Sequence, residues 1–161
     1  MTNQVSFPLT LVMDIATPEG AMKIAELLQK FAGMPPDQNP INVALTKVGT
    51  VHFARFVFLT PLQLAVITSY DGPFDAYIEA FAADIGDVFD ELLQYMVDPP
   101  PLPVKDNLPD FLAYVQKNDK SIIDGIRQPL YSAYPELTVF TILNLAKQGS
   151  DAKLVTEDAA V

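Results

Sequence analysis

The chain has 161 residues, half of them hydrophobic and only 19 % charged, with a formal charge of −10, one histidine and no cysteine. That length and composition describe one globular domain able to bury a core, not a disordered chain. The acidic balance argues against nucleic acid and anionic membrane surfaces as partners, and the lack of cysteine excludes disulfides and thiolate chemistry.

The N-terminal stretch MTNQVSFPLTLVMD has no basic region, and Pro8 and Asp14 interrupt its apolar run, so no signal peptide is expected. Cysteine-free composition fits the cytosol, and a cytoplasmic protein is the expectation. From Phe7 to Ile15, apolar residues alternate and predict a first strand. Thr17-Pro18-Glu19 is a helix start: a capping hydroxyl, proline at the first helical position and an acid in the first turn. Ala21, Ile24, Ala25, Leu28 and Phe31 continue at helical spacing until Gly33 and Pro35. The segment from Met34 to Lys47 reads as a long loop with at most a short extra turn.

Val51–Leu59 and Leu64–Tyr70, rich in β-branched and aromatic residues, read as a hairpin turning at Pro61-Leu62. Counting outward from Thr60 opposite Gln63 pairs Phe58 with Ala65, Phe56 with Ile67, Ala54 with Ser69 and His52 with Asp71. One face then holds His52, Ala54, Phe56, Phe58, Ile67, Ser69 and Asp71. The other holds Phe53, Arg55, Val57, Leu59, Leu64, Val66, Thr68 and Tyr70. Both faces are apolar, so each should be covered.

Asp71-Gly72-Pro73 opens an amphipathic helix through Phe74, Tyr77, Ile78, Phe81, Ile85, Val88, Phe89, Leu92 and Met96, with Gly86 a candidate kink. Asp98 to Lys105 is a polyproline connector. It contains the PxxP shape of an SH3-type ligand, but its place between helices favours a structural role. A helix opens at Asn107-Leu108-Pro109-Asp110 and buries Phe111, Leu112 and Val115. Ser121 and Asp124 have the spacing of a cap before a short helix ending near Pro129. Leu137 to Leu145 reads as the last strand. Residues 1–147 are thus one domain, with 98–133 a connector and helical insert, and 148–161 an acidic tail expected to fray.

Two successive βαβ halves predict an α+β fold of the ferredoxin-like split βαβ type, a four-stranded antiparallel sheet with helices on one face. The uncovered apolar face should then meet a second copy in a dimeric α/β barrel. The stretches VGTVHFARFVFL and LAVITSYDGPFDAYIEAF also resemble a group of small ferredoxin-like proteins with a VHFAR strand and a Y/F-D-G turn into the second helix. The resemblance spans Leu9 to Met96 and Tyr134 to Leu145. It implies the dimeric α/β-barrel superfamily, whose members include cofactor-independent monooxygenases, isomerases and haem enzymes. It carries no catalytic residue onto this chain.

Two constellations bear on chemistry. His52, Ser69 and Asp71 have the composition of a nucleophile-base-acid set, but TSYDG lacks a nucleophile elbow, and a structural His52–Asp71 pair beside a helix start is the favoured reading. Arg55, flanked by Phe53 and facing Thr68 and Tyr70, is a charge among aromatics that needs an acid or an anionic ligand. These four residues are the candidate ligand site. One histidine and no cysteine exclude ordinary zinc sites, nothing marks a haem pocket, and no cofactor is expected. The acids Asp84, Asp87, Asp90 and Glu91 read as a solvated helix face. Two functions stand side by side: a homodimer binding a small organic ligand, acting as a cofactor-independent oxygenase or isomerase, or a non-enzymatic interaction dimer that partners an oxidative enzyme.

Overall fold

The computed structural model describes residues 3–158, with side chains to residue 150. The elements run β1 (Ser6–Asp14), α1 (Pro18–Ala32), α2 (Pro40–Val48), β2 (Val51–Thr60), β3 (Gln63–Asp71), α3 (Phe74–Leu93), a 3-10 turn (Val104–Asp106), α4 (Leu108–Asn118), β4 (Ile122–Ile123), β5 (Ile126–Arg127) and α5 (Val139–Asp158). The main sheet is antiparallel, three-stranded, in the order β1-β3-β2, and β4-β5 form a separate small hairpin. The α+β class is as the sequence predicts. The four-stranded ferredoxin-like plait is not formed, and the barrel built upon it falls with it.

The missing strand has a physical cause. Leu137 to Leu145 is rich in β-formers, yet its apolar residues also recur at helical spacing, and the local hydrogen bonds favour the helix. Thr138 Oγ1 accepts the Thr141 N–H at 3.2 Å, and the Asp71 carboxylate accepts the Val139 N–H at 2.7 Å. These satisfy orphan donors at the start of α5. The edge of β1 where a fourth strand would lie is occupied by irregular chain. Asp119 Oδ1 accepts the Thr10 N–H, and Lys120 N–H donates to the Thr10 carbonyl. Met96 bridges Ile15, and Val97 N–H donates to Asp14. Asp119 is itself buried and also accepts the N–H and hydroxyl of Ser121.

The sheet buries one face. Leu9, Leu11 and Met13 of β1 align with Thr68, Val66 and Leu64 of β3, and Ala54, Phe56 and Phe58 of β2 complete the layer. Its aromatic centre is continuous with the helices. Phe89 of α3 meets Phe56, Phe81 and Phe111 edge-on at 4.7–6.1 Å between centroids. Ile24 and Phe31 of α1 and Val115 of α4 close the same core. Gly86 does not break α3. It admits the 3-10 turn, since a Cβ there would lie 3.2 Å from Val104 Cγ2.

Three local readings need correction. Residues 40–48 are a helix and not part of a loop: Asn39 caps Ile41 and Asn42, Pro40 opens the first turn and Gly49 closes it in the left-handed region at φ 73°. The expected short helix after Ser121 is the β4-β5 hairpin. Its Asp124-Gly125 turn has φ of 51° and 75°, the positive values of a tight two-residue hairpin turn. The acids of α3 are not all a solvated face. Asp84 pairs with Lys47 of α2 at 2.6 Å, and Asp90 accepts the Val104 N–H. The tail read as 148–161 falls on α5 as far as Asp158, and 159–161 lie outside the described residues.

Candidate functional site

The hairpin register decides which side chains meet. Thr60 faces Gln63 as counted from the turn, but a bulge at Leu59 then shifts the pairing by one. Phe58 therefore faces Leu64, Phe56 faces Val66, Arg55 faces Ile67 and Ala54 faces Thr68. A shift of one moves every β3 side chain to the opposite face relative to β2. The consequence for the predicted ligand site is direct. Arg55 and Phe53 are exposed, on the face of β2 away from the core, while Thr68 and Tyr70 point into the core. Tyr70 is 1 % exposed and stacks on Tyr77 at 4.0 Å, and Tyr77 shares a buried hydrogen bond with Thr68. Arg55 and Tyr70 therefore do not form one site.

A second irregularity, at His52, builds a different one. Between Val51 opposite Tyr70 and Phe53 opposite Ser69, the chain carries one extra residue. His52 lies in this bulge, and its Nε2 sits 2.5 Å from Asp71 Oδ1. The two side chains are only 12 % and 9 % exposed. The other carboxylate oxygen of Asp71 holds the Val139 N–H. The carboxylate is thus fixed at both ends, between the imidazole and the first turn of α5. The sequence places His52 beside Asp71 and a helix start, and the structure does bring the pair together, although the helix concerned is α5. Ser69 lies nearby, but among the described residues no hydrogen bond joins it to His52, so a Ser-His-Asp relay is not assembled.

His52 lines a cleft of about 1010 Å³ at the start of β2. Ile41 and Leu45 of α2 form one wall, and Ile142 and Leu143 of α5 another. Phe53, Tyr131 and Tyr134 add aromatic surface, and Ser69 lies on the sheet side. Among the described residues, Asp37 is the one carboxylate on its walls, and neither lysine nor arginine is among the residues that form them. The α2 wall is not apparent from a sequence in which Met34 to Lys47 reads as a loop, although Asn39-Pro40 is a recognisable helix start. The Leu130–Tyr134 wall carries no local signal, since it follows from where α5 begins. A smaller cleft of about 680 Å³ lies on the far side of Asp71, lined by Val5, Phe7, Thr50 and Tyr77. The Thr50 hydroxyl is buried there without a hydrogen-bond partner among the described residues.

Burial raises the phenol pKa values of three core tyrosines. Tyr114 is pushed up to about 12, mainly by burial and further by the charge of Asp14. Burial also raises Tyr77, against the Thr68 hydrogen bond, and Tyr70, against the nearby Arg127 guanidinium. Among the described residues no group of three or more His, Cys, Asp or Glu side chains could hold a metal ion. No described helix is long and apolar enough to cross a membrane. No protein-family model matches the chain, and neither a curated protein nor a solved structure matches it.

Proposed function

We propose that this protein binds a small, largely apolar organic molecule in the cleft beside His52. The cleft itself carries the reading: about 1010 Å³ of space, walled mostly by aliphatic and aromatic side chains, with the part-buried imidazole of His52 among scattered hydroxyl and amide groups. That volume and chemistry match ordinary small-molecule sites, where apolar contact supplies affinity and a few polar groups fix orientation. Of the four residues the sequence offers as a ligand site, Phe53 lines this cleft, while Arg55, Thr68 and Tyr70 do not.

The test uses a property of the composition. The chain has no tryptophan, so Phe53→Trp places a single indole on the cleft wall at a position 77 % exposed. Small aromatic molecules that enter the cleft should change its emission saturably, and Ser69→Arg, on the sheet side of the cleft, should remove the response. A fragment set that leaves the indole emission unchanged would refute the reading.

A second reading, an interaction dimer, has its own support. On α5, Phe140 is 72 % and Leu143 63 % exposed, and Phe53 adds to the same apolar surroundings. Large exposed side chains so grouped commonly mark a protein contact. A stable dimer by light scattering that Phe140→Asp with Leu143→Asp converts to monomer would favour it, and a monomeric wild type would remove it.

A further inference from the structure

We propose that His52 acts as a general base toward the cleft's occupant, and that this occupant carries an ionisable hydroxyl of the phenol or enol class. The proposal rests on the cleft being a ligand site and goes on to name the ligand chemistry. Nε2 of His52 faces Asp71 Oδ1 at 2.5 Å, so in the neutral imidazole the proton resides on Nε2 and the lone pair on Nδ1. Asp71 cannot readily turn away, because its second oxygen is held by Val139 N–H at 2.7 Å. Nδ1 has no hydrogen-bond partner among the described residues, and it is not among the buried unpaired atoms. It therefore meets accessible space, and the space that His52 lines is the cleft.

The charge on the walls selects the ligand. Among the described residues, an anion entering this cleft meets no lysine or arginine and one carboxylate, Asp37. Leaving it unpaired in largely apolar surroundings is costly. A neutral hydroxyl compound avoids that cost and generates its counter-ion on arrival. Its O–H bond breaks, the electron pair stays on oxygen, and the proton goes to Nδ1. The resulting imidazolium keeps its Nε2–H on Asp71, which stabilises the new charge. Nothing is oxidised or reduced. Phe53, Tyr131 and Tyr134 offer the flat apolar contact that suits an aromatic ring.

Two probes of equal shape test this, 4-nitrophenol and 4-nitroanisole, the second lacking the proton. At a pH below the free phenol's midpoint, the wild-type protein should raise the phenolate absorbance of bound 4-nitrophenol by about tenfold over the free probe, as expected for a new opposite charge nearby. His52→Gln keeps a donor for Asp71 but has no base. It should bind 4-nitroanisole like the wild type and leave 4-nitrophenol un-ionised. If both probes bind and 4-nitrophenol stays un-ionised in the wild type, the base assignment falls while the cleft reading stands. Equal ionisation by His52→Gln also overturns it. If neither probe binds, both readings fall. A readout independent of the variant's folding comes from the single histidine. Long-range proton-nitrogen spectra should show the Nε2–H tautomer, and an Nδ1–H tautomer would overturn the proposal.

Discussion

Replacing Asp71 with alanine removes, among the described residues, the side-chain hydrogen bond that joins the sheet to the last helix. Two interactions disappear together. The Val139 N–H loses its acceptor at 2.7 Å, a capping loss of about 1 kcal/mol. His52 loses its carboxylate at 2.5 Å, and because both side chains are about nine-tenths buried this charge-assisted bond is expected near the upper part of its range, about 2–3 kcal/mol. The sum is about 3–4 kcal/mol, or a fall in Tm of about 6–16 °C for a domain of this length. In a His52→Ala background the same Asp71→Ala change should cost only the capping part, so the double-mutant cycle should show a coupling of about 2 kcal/mol. Hydrogen exchange adds a positional check: amides from Val139 through the first turns of α5 should lose protection before those of β1 or β3. A Tm within about 2 °C of wild type, or coupling below about 0.5 kcal/mol, would refute the claim that this carboxylate joins the two parts.

Other consequences are equally open to measurement. The raised tyrosines set an alkaline limit: the folded state keeps protons that the unfolded state releases above the ordinary value of 10. Stability is therefore fully present below pH 10 and is lost as pH rises toward 12, by about 1.4 kcal/mol per pH unit for Tyr114 alone. Urea melts at pH 9 and above should show the decline, and a flat profile would contradict the burial argument. Phe89→Ala, at a fully buried position touching three aromatic rings, should cost about 3–5 kcal/mol in a urea melt. Arg55→Met should change stability by no more than about 0.5 kcal/mol, since Arg55 lies on the exposed face without an ion pair among the described residues. A larger loss would mean that this face is covered in solution.

Much of this protein is legible in its sequence wherever the governing forces are local. Thr17-Pro18 opens α1 as its side-chain and φ chemistry require, Asp71-Gly72-Pro73 precedes α3, and the spacing of Phe81, Ile85, Val88, Phe89 and Leu92 forecasts the buried stripe. The turn at Pro61-Leu62 and the orientation of Arg55 away from the core follow from period-two alternation. What failed was decided by contacts distant in sequence. Leu137 to Leu145 is intrinsically ambiguous, and its choice of helix depends on Asp71, sixty-eight residues earlier than Val139. The place of a fourth strand is filled because Asp119 reaches across to Thr10, a bond spanning 109 positions. The bulge at Leu59 cannot be read from alternation, and it alone separates Arg55 from Tyr70. The extra residue at His52 lets that side chain meet Asp71 and border a cleft whose walls come from α2, β2 and α5. Sequence specified α1, α3, α4, the hairpin and the acid that partners the histidine; tertiary structure set the register, the strand count, the last helix and the cleft, because each turns on which distant groups satisfy a backbone hydrogen bond.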